Sequence, residues 1–284
     1  MKVPKRIQPL VDDGLVDEVL SRLMSGKEAD VFIVRCGDAI RCAKVYKDAA
    51  KRSFKKAAQY QEGRKMRSGR RARAVEKGST YGRAQQEEIW QNAEVDALSK
   101  LARADVRVPE TFGCIDGVLL MELIVDEDGA AAPRLDDVTM SEEQALEDHA
   151  IMMRYVVRML CAGLIHGDLS EFNVLVDENG PVIIDLPQAV NAAANNSAGA
   201  MLARDVNNMS RYYGLFAPQL LQTHFAEEIW TLYQEGDLLP ETELTGYFEE
   251  DTESANVDSV LEEIKAAMEE EQERLERIQA ADEE

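Results

Sequence analysis

Leu164-Ile165-His166-Gly167-Asp168-Leu169-Ser170-Glu171-Phe172-Asn173-Val174-Leu175 decides how the rest of the chain is read. It runs from an apolar pair through a compact polar turn into the start of an apolar strand. Asp168 and Asn173 lie five positions apart on that turn, and Pro181-Val182-Ile183-Ile184-Asp185 ends a second apolar run on another carboxylate. Such a set suits phosphoryl transfer. One carboxylate orients an attacking hydroxyl and takes its proton, while an amide oxygen and a second carboxylate hold Mg2+ on a nucleotide phosphate. A bare His-x-Asp fits a polar hairpin turn equally well. The asparagine five residues on and the strand-ending Asp185 favour the phosphotransferase reading.

Upstream, the chain offers partners for that chemistry. Met24-Ser25-Gly26-Lys27-Glu28-Ala29-Asp30-Val31 is a tight turn opening onto a β-rich run, and its hydroxyl and amides suit phosphate oxygens. Ala39–Tyr46 alternates like a strand and carries Lys44 among apolar neighbours. A cleft lysine needs an anionic partner. Residues 85–102 read as a helix with Ile89, Ala93, Ala97, Leu98 and Leu101 on its apolar side, and Glu94 is the candidate, with Glu87 and Glu88 as competitors. Two strands flank the Asp116-Gly117 turn, and the character changes after Ile124, where we expect the boundary between lobes. The backbone of Glu122–Ile124 is then placed to meet an adenine edge. Ser141–Gly163 reads as a long helix with a capping box at its start and glycine at its end. Its expected apolar face is Ala145, Leu146, Ala150, Met153, Val157 and Leu160. His149 reads as an ordinary helix side chain. Beyond Asp185 we expect a loop over Asn191–Ala200, helices over Met201–Ala217 and Phe225–Tyr233, and a poorly ordered acidic stretch over 234–256. A final amphipathic line follows: Leu261, Ile264, Met268, Leu275 and Ile278.

Composition sets the outer limits. The chain has 284 residues, 45% hydrophobic and 30% charged, an ordinary globular profile. Its longest apolar runs fall short of the roughly 18 residues that span a bilayer, so no membrane partner is expected. The N-terminus leads into no apolar secretory core. Cys36, Cys42, Cys114 and Cys161 are scattered with no C-x-x-C pair, which favours reduced thiols in the cytoplasm over a zinc site. The net charge of −22 conceals a strong polarity. Residues 51–83 hold twelve Lys or Arg against Glu62 and Glu76, whereas 227–284 hold twenty-one Asp or Glu against Lys265, Arg274 and Arg277. The basic segment, 51–84, contains Gly63, Gly69, Gly78 and Gly82 and few large apolar residues, and suits a flexible loop that meets a phosphate backbone. Pairing with the acidic tail is the intramolecular alternative.

Taken together, these motifs resemble the RIO atypical protein kinases, in a bacterial form, over approximately residues 10–225. The resemblance rests on Ser25-Gly26-Lys27-Glu28-Ala29-Asp30-Val31, Ala43-Lys44-Val45-Tyr46, Trp90 with Glu94, Val118-Leu119-Leu120-Met121-Glu122, His166 to Asn173, Ile184-Asp185 and Arg204-Asp205-Val206-Asn207-Asn208. It implies an α+β, trimmed protein-kinase-like bilobal fold. The expected parts are a β-rich N-lobe over 1–124, a helical C-lobe over 125–235 and an acidic tail over 236–284. It further implies ATP and Mg2+ as cofactors. Asp168 and Asp185 are the implied catalytic residues, and Asn173 and Asp185 the implied metal ligands. Ser25, Gly26, Lys27, Glu28, Lys44, Glu94, Met121, Glu122, Leu123 and Ser170 are implied in nucleotide binding. In this family the aspartate at position 185 also accepts the γ-phosphoryl group, so ATPase cycling accompanies serine/threonine kinase activity. The implied partners are a protein substrate and an RNA or ribosomal partner met by 51–84. Two departures stand out: Gly167 where many members carry a residue such as Ala, and Asn195-Asn196-Ser197 where His-Pro is common. A small-molecule phosphotransferase of the aminoglycoside or choline kinase type is the alternative from the shared His-Gly-Asp. A nucleotide-binding scaffold is the other, and the intact set Lys44, Asp168, Asn173 and Asp185 counts against it.

Overall fold

The computed structural model describes residues 2–26, 29–47 and 93–248. Lys27 and Glu28, the basic segment 51–84, Trp90 with the start of its helix, and the tail from 249 onward lie outside the described residues. The chain divides into two compact units: Met1–Arg134 with Leu175–Ala189, and Leu135–Val174 with Val190–Glu284.

The first unit is built on a five-stranded antiparallel sheet of order β1-β2-β3-β5-β4. Its strands are β1 (Glu18–Ser25), β2 (Ala29–Cys36), β3 (Ala39–Tyr46), β4 (Thr111–Ile115) and β5 (Val118–Glu122). Alternation gives the sheet two chemically distinct faces. One face carries Phe32, Val34, Ala43, Val45, Val118 and Leu120, closed by Ile7 and Leu10 of the short helix α1 (Gln8–Asp12) and by Val16. The other face carries the cross-strand row Met24, Val31, Lys44, Leu119 and Cys114. The β4–β5 connection has Asp116 at φ 51 and Gly117 at φ 78, the paired left-handed conformation of a tight hairpin. Helix α2 is described over 93–103 and buries Ala97, Leu98 and Leu101. A returning hairpin, β7 (Val174–Asp177) and β8 (Gly180–Ile183), joins this unit. Ile183 N–H donates to Arg107 O at 2.9 Å and Val176 N–H to Pro133 O at 3.0 Å, while Val182 and Leu175 pack on Ile124 and Ala132.

The second unit is helical. Helix α3 (Glu142–Cys161) starts at Ser141, whose hydroxyl accepts from Gln144 N–H at 3.2 Å, and Gly163 follows its end at φ 74. The expected reciprocal capping does not form, because the Gln144 amide reaches forward to Asp148 at 2.9 Å. The buried face is also shifted: Met152, Val156 and Met159 join Ala145, Met153, Val157 and Leu160, while Leu146 and Ala150 are exposed. A two-residue bridge pairs β6 (Leu164–Ile165) with β9 (Val190–Asn191). Helix α4 (Ala198–Tyr213) begins three residues before the expected start, because Gly199 packs closely against Trp230 and the small residues there are buried. The expected loop over Asn191–Ala200 therefore gives way to a short 3-10 turn and the first turn of α4. Helix α5 (Phe225–Glu235) ends on Gly236 in the left-handed region. The stretch beyond it, expected to be poorly ordered, is packed through 248. Leu238 is buried, Arg158 pairs with Glu241 at 2.7 Å, and Glu228 accepts from the backbone N–H of Thr245 and Gly246, each at 2.8 Å.

Candidate active site

In the first unit the site begins with the strand alternation of β3, which puts Lys44 and Tyr46 on the face away from the apolar cluster. Lys44 Nζ lies 2.6 Å from Glu94 Oε1 and 2.6 Å from Asp185 Oδ1. Of the three acids weighed on α2, Glu94 makes the pair; Glu87 and Glu88 lie outside the described residues. Burial alone would lower the lysine pKa. Asp185 and Glu94 outweigh it, holding the ammonium charged above its ordinary range. The Tyr46 hydroxyl donates to the other oxygen of Glu94. Burial, reinforced by Glu94, raises the phenol and keeps it a donor. Glu94 is 1% exposed, so the lysine and tyrosine are what satisfy it. Asp185 differs: its side chain is 44% exposed and remains accessible to a ligand. Its backbone stands at φ 66, a conformation uncommon for a non-glycine residue, two residues beyond the end of β8.

The Ser25–Gly26 turn closes on itself through Gly26 N–H to Ala29 O at 2.9 Å. The Ser25 hydroxyl donates to Asp30 Oδ1 at 2.7 Å instead of standing free for phosphate. Asp30 also pairs with Arg22 and Lys47, and Lys47 donates to Gly26 O at 2.6 Å. Burial acts to raise the Asp30 carboxyl, but these donors together hold it below its usual value. At the far end of β5, Met121 pairs with Cys42 and Glu122 with Arg41. Glu122 N–H donates to Glu110 O at 2.8 Å, so an adenine edge meeting Glu122–Ile124 would use other backbone groups. Leu123 follows directly, half-buried.

The second unit holds the opening motif. Gly167, at φ 80, turns the chain between buried His166 and half-buried Asp168. Asp205 of α4 accepts from Gly167 N–H at 2.7 Å and from Leu169 N–H at 3.0 Å. Arg204 donates to the Gly167 carbonyl, and Asn208 Nδ2 to Leu169 O at 3.0 Å. One face of α4 thus fixes both sides of the Asp168 peptide. Burial pushes Asp205 up to about 7, against Arg204 and the two amides, which favour its charged form. Asn173 Nδ2 donates to Asp168 O at 2.8 Å, and Asn173 N–H to Ser170 O at 2.9 Å. The side-chain oxygen of Asn173 is therefore the end left for a cation.

Sequence reasoning overlooked several of these residues. Asp205 and Asn208 were visible as part of a motif, yet nothing local assigns them to a loop more than thirty residues upstream. Tyr46 stands in the strand motif Ala43-Lys44-Val45-Tyr46, which assigns it no role of its own. Asp30 and Lys47 flank the turn with opposite charges, and that opposition is the sequence signal for their pairing.

These elements define a protein-kinase-like fold. The Rio2 kinase of Chaetomium thermophilum, solved as an ADP/Mg2+-phosphoaspartate complex, has the same fold with a TM-score of 0.57. It is 20% identical, with 95% of this chain and 75% of that one covered. The RIO domain family profile matches residues 30–225, and the chain belongs to that family. The RIO-type serine/threonine-protein kinase Rio1 of Haloferax volcanii is 34% identical over 73% of this chain and 67% of its own length. The rio1 kinase of Schizosaccharomyces pombe is 28% identical over 72% of this chain but only 40% of its own length. The family is one of serine/threonine phosphotransferases, and this chain is a member of that enzyme class. No helix among the described residues is long and apolar enough to cross a membrane.

Proposed function

We propose that the chain is an Mg2+-ATP-dependent RIO-type serine/threonine kinase with accompanying ATPase activity. The observation that carries this reading is Lys44, buried between Glu94 and Asp185 at 2.6 Å from each. Burying the Lys44–Glu94 pair is costly for packing alone, whereas a fixed cation beside the accessible Asp185 carboxylate suits a metal-bound polyphosphate. The donor set also fits Mg2+: the Asn173 oxygen and the Asp185 carboxylate are hard oxygen ligands, and Mg2+ needs only one or two of these beside phosphate and water. When bound, the metal neutralises phosphate charge. Lys44, oriented by Glu94, pairs with the α- and β-phosphates. Asp168 accepts the proton of the attacking hydroxyl, and Asp205 holds the backbone that carries it. Ser25, Gly26, Lys27 and Glu28 cover the nucleotide, with Met121, Glu122, Leu123 and Ser170 contributing to its binding. The lobe division at 1–124 and 125–235, with the tail from 236, belongs to the same reading, although the compact units described above carry residues 125–134 and Leu175–Ala189 with the N-terminal part.

The fungal Rio2 complex favours a second use of this site, because that protein is named as a phosphoaspartate. Here an Asp185 carboxylate oxygen attacks the γ-phosphorus, the bond to the β–γ bridging oxygen breaks, and ADP leaves with that electron pair. A protein substrate, an RNA or ribosomal partner met by 51–84 and a cytoplasmic setting complete the proposal. The last is supported by the free thiols. Asp168→Ala and Asp185→Ala are each expected to abolish Mg2+-dependent ATP turnover while far-UV circular dichroism and thermal melting show a folded chain. Undiminished turnover in both variants overturns the assignment. With γ-labelled ATP, protein-bound label released by mild alkali identifies an acyl phosphate on Asp185, and an acid-stable ester identifies transfer to a hydroxyl.

A further inference from the structure

Among the described residues Arg41 and Arg134 each bury an Nε that has no hydrogen-bond partner; Arg41 rests 3.6 Å from the centre of the Phe112 ring, whereas the surroundings of Arg134 offer no such face. Lys44, Lys47, Arg22 and Arg107 each reach a carboxylate. Arg134 reaches none among the described residues. Its terminal nitrogen rests 2.9 Å from the sulfur of Met24, and its buried Nε has no hydrogen-bond partner. A thioether is a weak acceptor, so a half-buried guanidinium held this way is unstable relative to one that meets an anion. Its backbone is nevertheless fixed: Arg134 bridges Leu175, and its neighbour Pro133 accepts from Val176 N–H at 3.0 Å.

The sheet register says where that guanidinium lies. Met24 pairs with Val31, and Val31 with Lys44. Directly opposed residues of adjacent strands share a face, so Met24 and Lys44 point to the same side, two strands or about 10 Å apart. Met24 also immediately precedes the Ser25–Gly26 turn. We propose that Arg134 binds the phosphate-bearing part of the nucleotide, exchanging its contact with Met24 for charge-assisted hydrogen bonds to phosphate oxygens. This assignment rests on the nucleotide-binding reading above and adds a residue to it. Arginine suits the task because its planar fork donates to two oxygens at once.

The test compares binding of Mg2+-ADP and of adenosine, by isothermal titration calorimetry, to the wild-type chain, Arg134→Met and Arg134→Lys. Methionine keeps the apolar stem beside Met24 and removes the charge; lysine keeps the charge without the fork. The expected result is a loss of about tenfold or more in ADP affinity for Arg134→Met. Adenosine binding is expected to stay unchanged, with Arg134→Lys intermediate for ADP. ADP affinity equal to wild type in both variants overturns the assignment. Parallel losses for ADP and adenosine also overturn it, since they mark a packing role against Met24. A wild-type chain that binds neither ligand overturns the nucleotide reading itself, and this assignment with it.

Discussion

Lys44 and Glu94 illustrate how one residue's burial sets another's role. Glu94 is 1% exposed and Lys44 7%, so neither charge is compensated by water. Asp185, with 44% of its side chain exposed, is the member that solvent shares. Removing one partner of a buried pair leaves the other uncompensated, typically at about 3–5 kcal/mol. Lys44→Met is therefore expected to lower unfolding free energy by about that amount, through stranding Glu94 rather than through lost packing. Adding Glu94→Leu to Lys44→Met should restore much of the loss, because no buried charge then remains. Urea denaturation of the two single variants and the double variant measures the coupling; strictly additive effects would contradict the pairing. Lysine in an apolar strand was readable from alternation, and so was its need for an acid. Which of three glutamates answers it was not, because helix phase against a sheet face is a tertiary property. Ser25 shows the opposite limit. Its place on the turn was legible, but its hydroxyl is engaged by Asp30, a choice made by cross-strand charge and not by the turn motif.

Helix packing in the second unit turns on a histidine that the local pattern left unremarkable. His149 of α3 is 2% exposed, its Nε2 lies 3.0 Å from the Ser210 hydroxyl of α4, and its ring meets Tyr213 and Phe225 of α4 and α5. Burial lowers its pKa from 6.5 to about 4. A histidine depressed in the folded state contributes stability that is present above its unfolded value and is lost as pH falls from 6.5 towards 4. The chain is expected to lose about 2 kcal/mol of stability from this group between pH 7 and pH 5. His149→Gln, which keeps a hydrogen-bonding group without a titration, should show a correspondingly shallower decline in urea melts across that range. The same decline in both proteins would refute the linkage. At this scale the sequence signals were strongest where chemistry is local. Asp116-Gly117 marks its hairpin, and Ser141 and Gly163 bound α3. They were weakest where small residues dominate. Ala198 and Gly199 carry no amphipathic period, yet they are buried against Trp230 and begin α4. The stretch beyond Gly236 departs from its composition for a related reason: its acidity points to solvation, while Arg158 and the N–H groups capped by Glu228 give it specific partners through 248.

The whole molecule joins segments distant in sequence, and its charge is equally segregated. Leu175–Ala189 belongs with the first unit although it follows the opening motif directly. Strand periodicity found β7 and β8, but no sequence signal shows which unit they join, because the Val176–Pro133 and Ile183–Arg107 bonds that decide it are long-range. Charge, by contrast, is fully legible in sequence. The basic cluster over 51–83 and the acidic excess over 227–284 are the two poles of a chain with net charge −22. A polyanion attracted to the first pole competes with the second for the same cations, and both interactions weaken as salt rises. If the basic segment meets RNA, replacing Arg70, Arg71 and Arg73 with Gln removes three phosphate contacts. The slope of log affinity against log salt should then become shallower by about 2, at roughly 0.7 per contact for a single strand. Filter binding or fluorescence anisotropy over a salt series reads that slope directly. An unchanged slope places the contact elsewhere, and wild-type protein that binds no RNA even at low salt removes the partner altogether. Truncation after residue 250 separates the two poles: competition predicts tighter RNA binding without the tail, most visibly at low salt, where the intramolecular attraction is strongest.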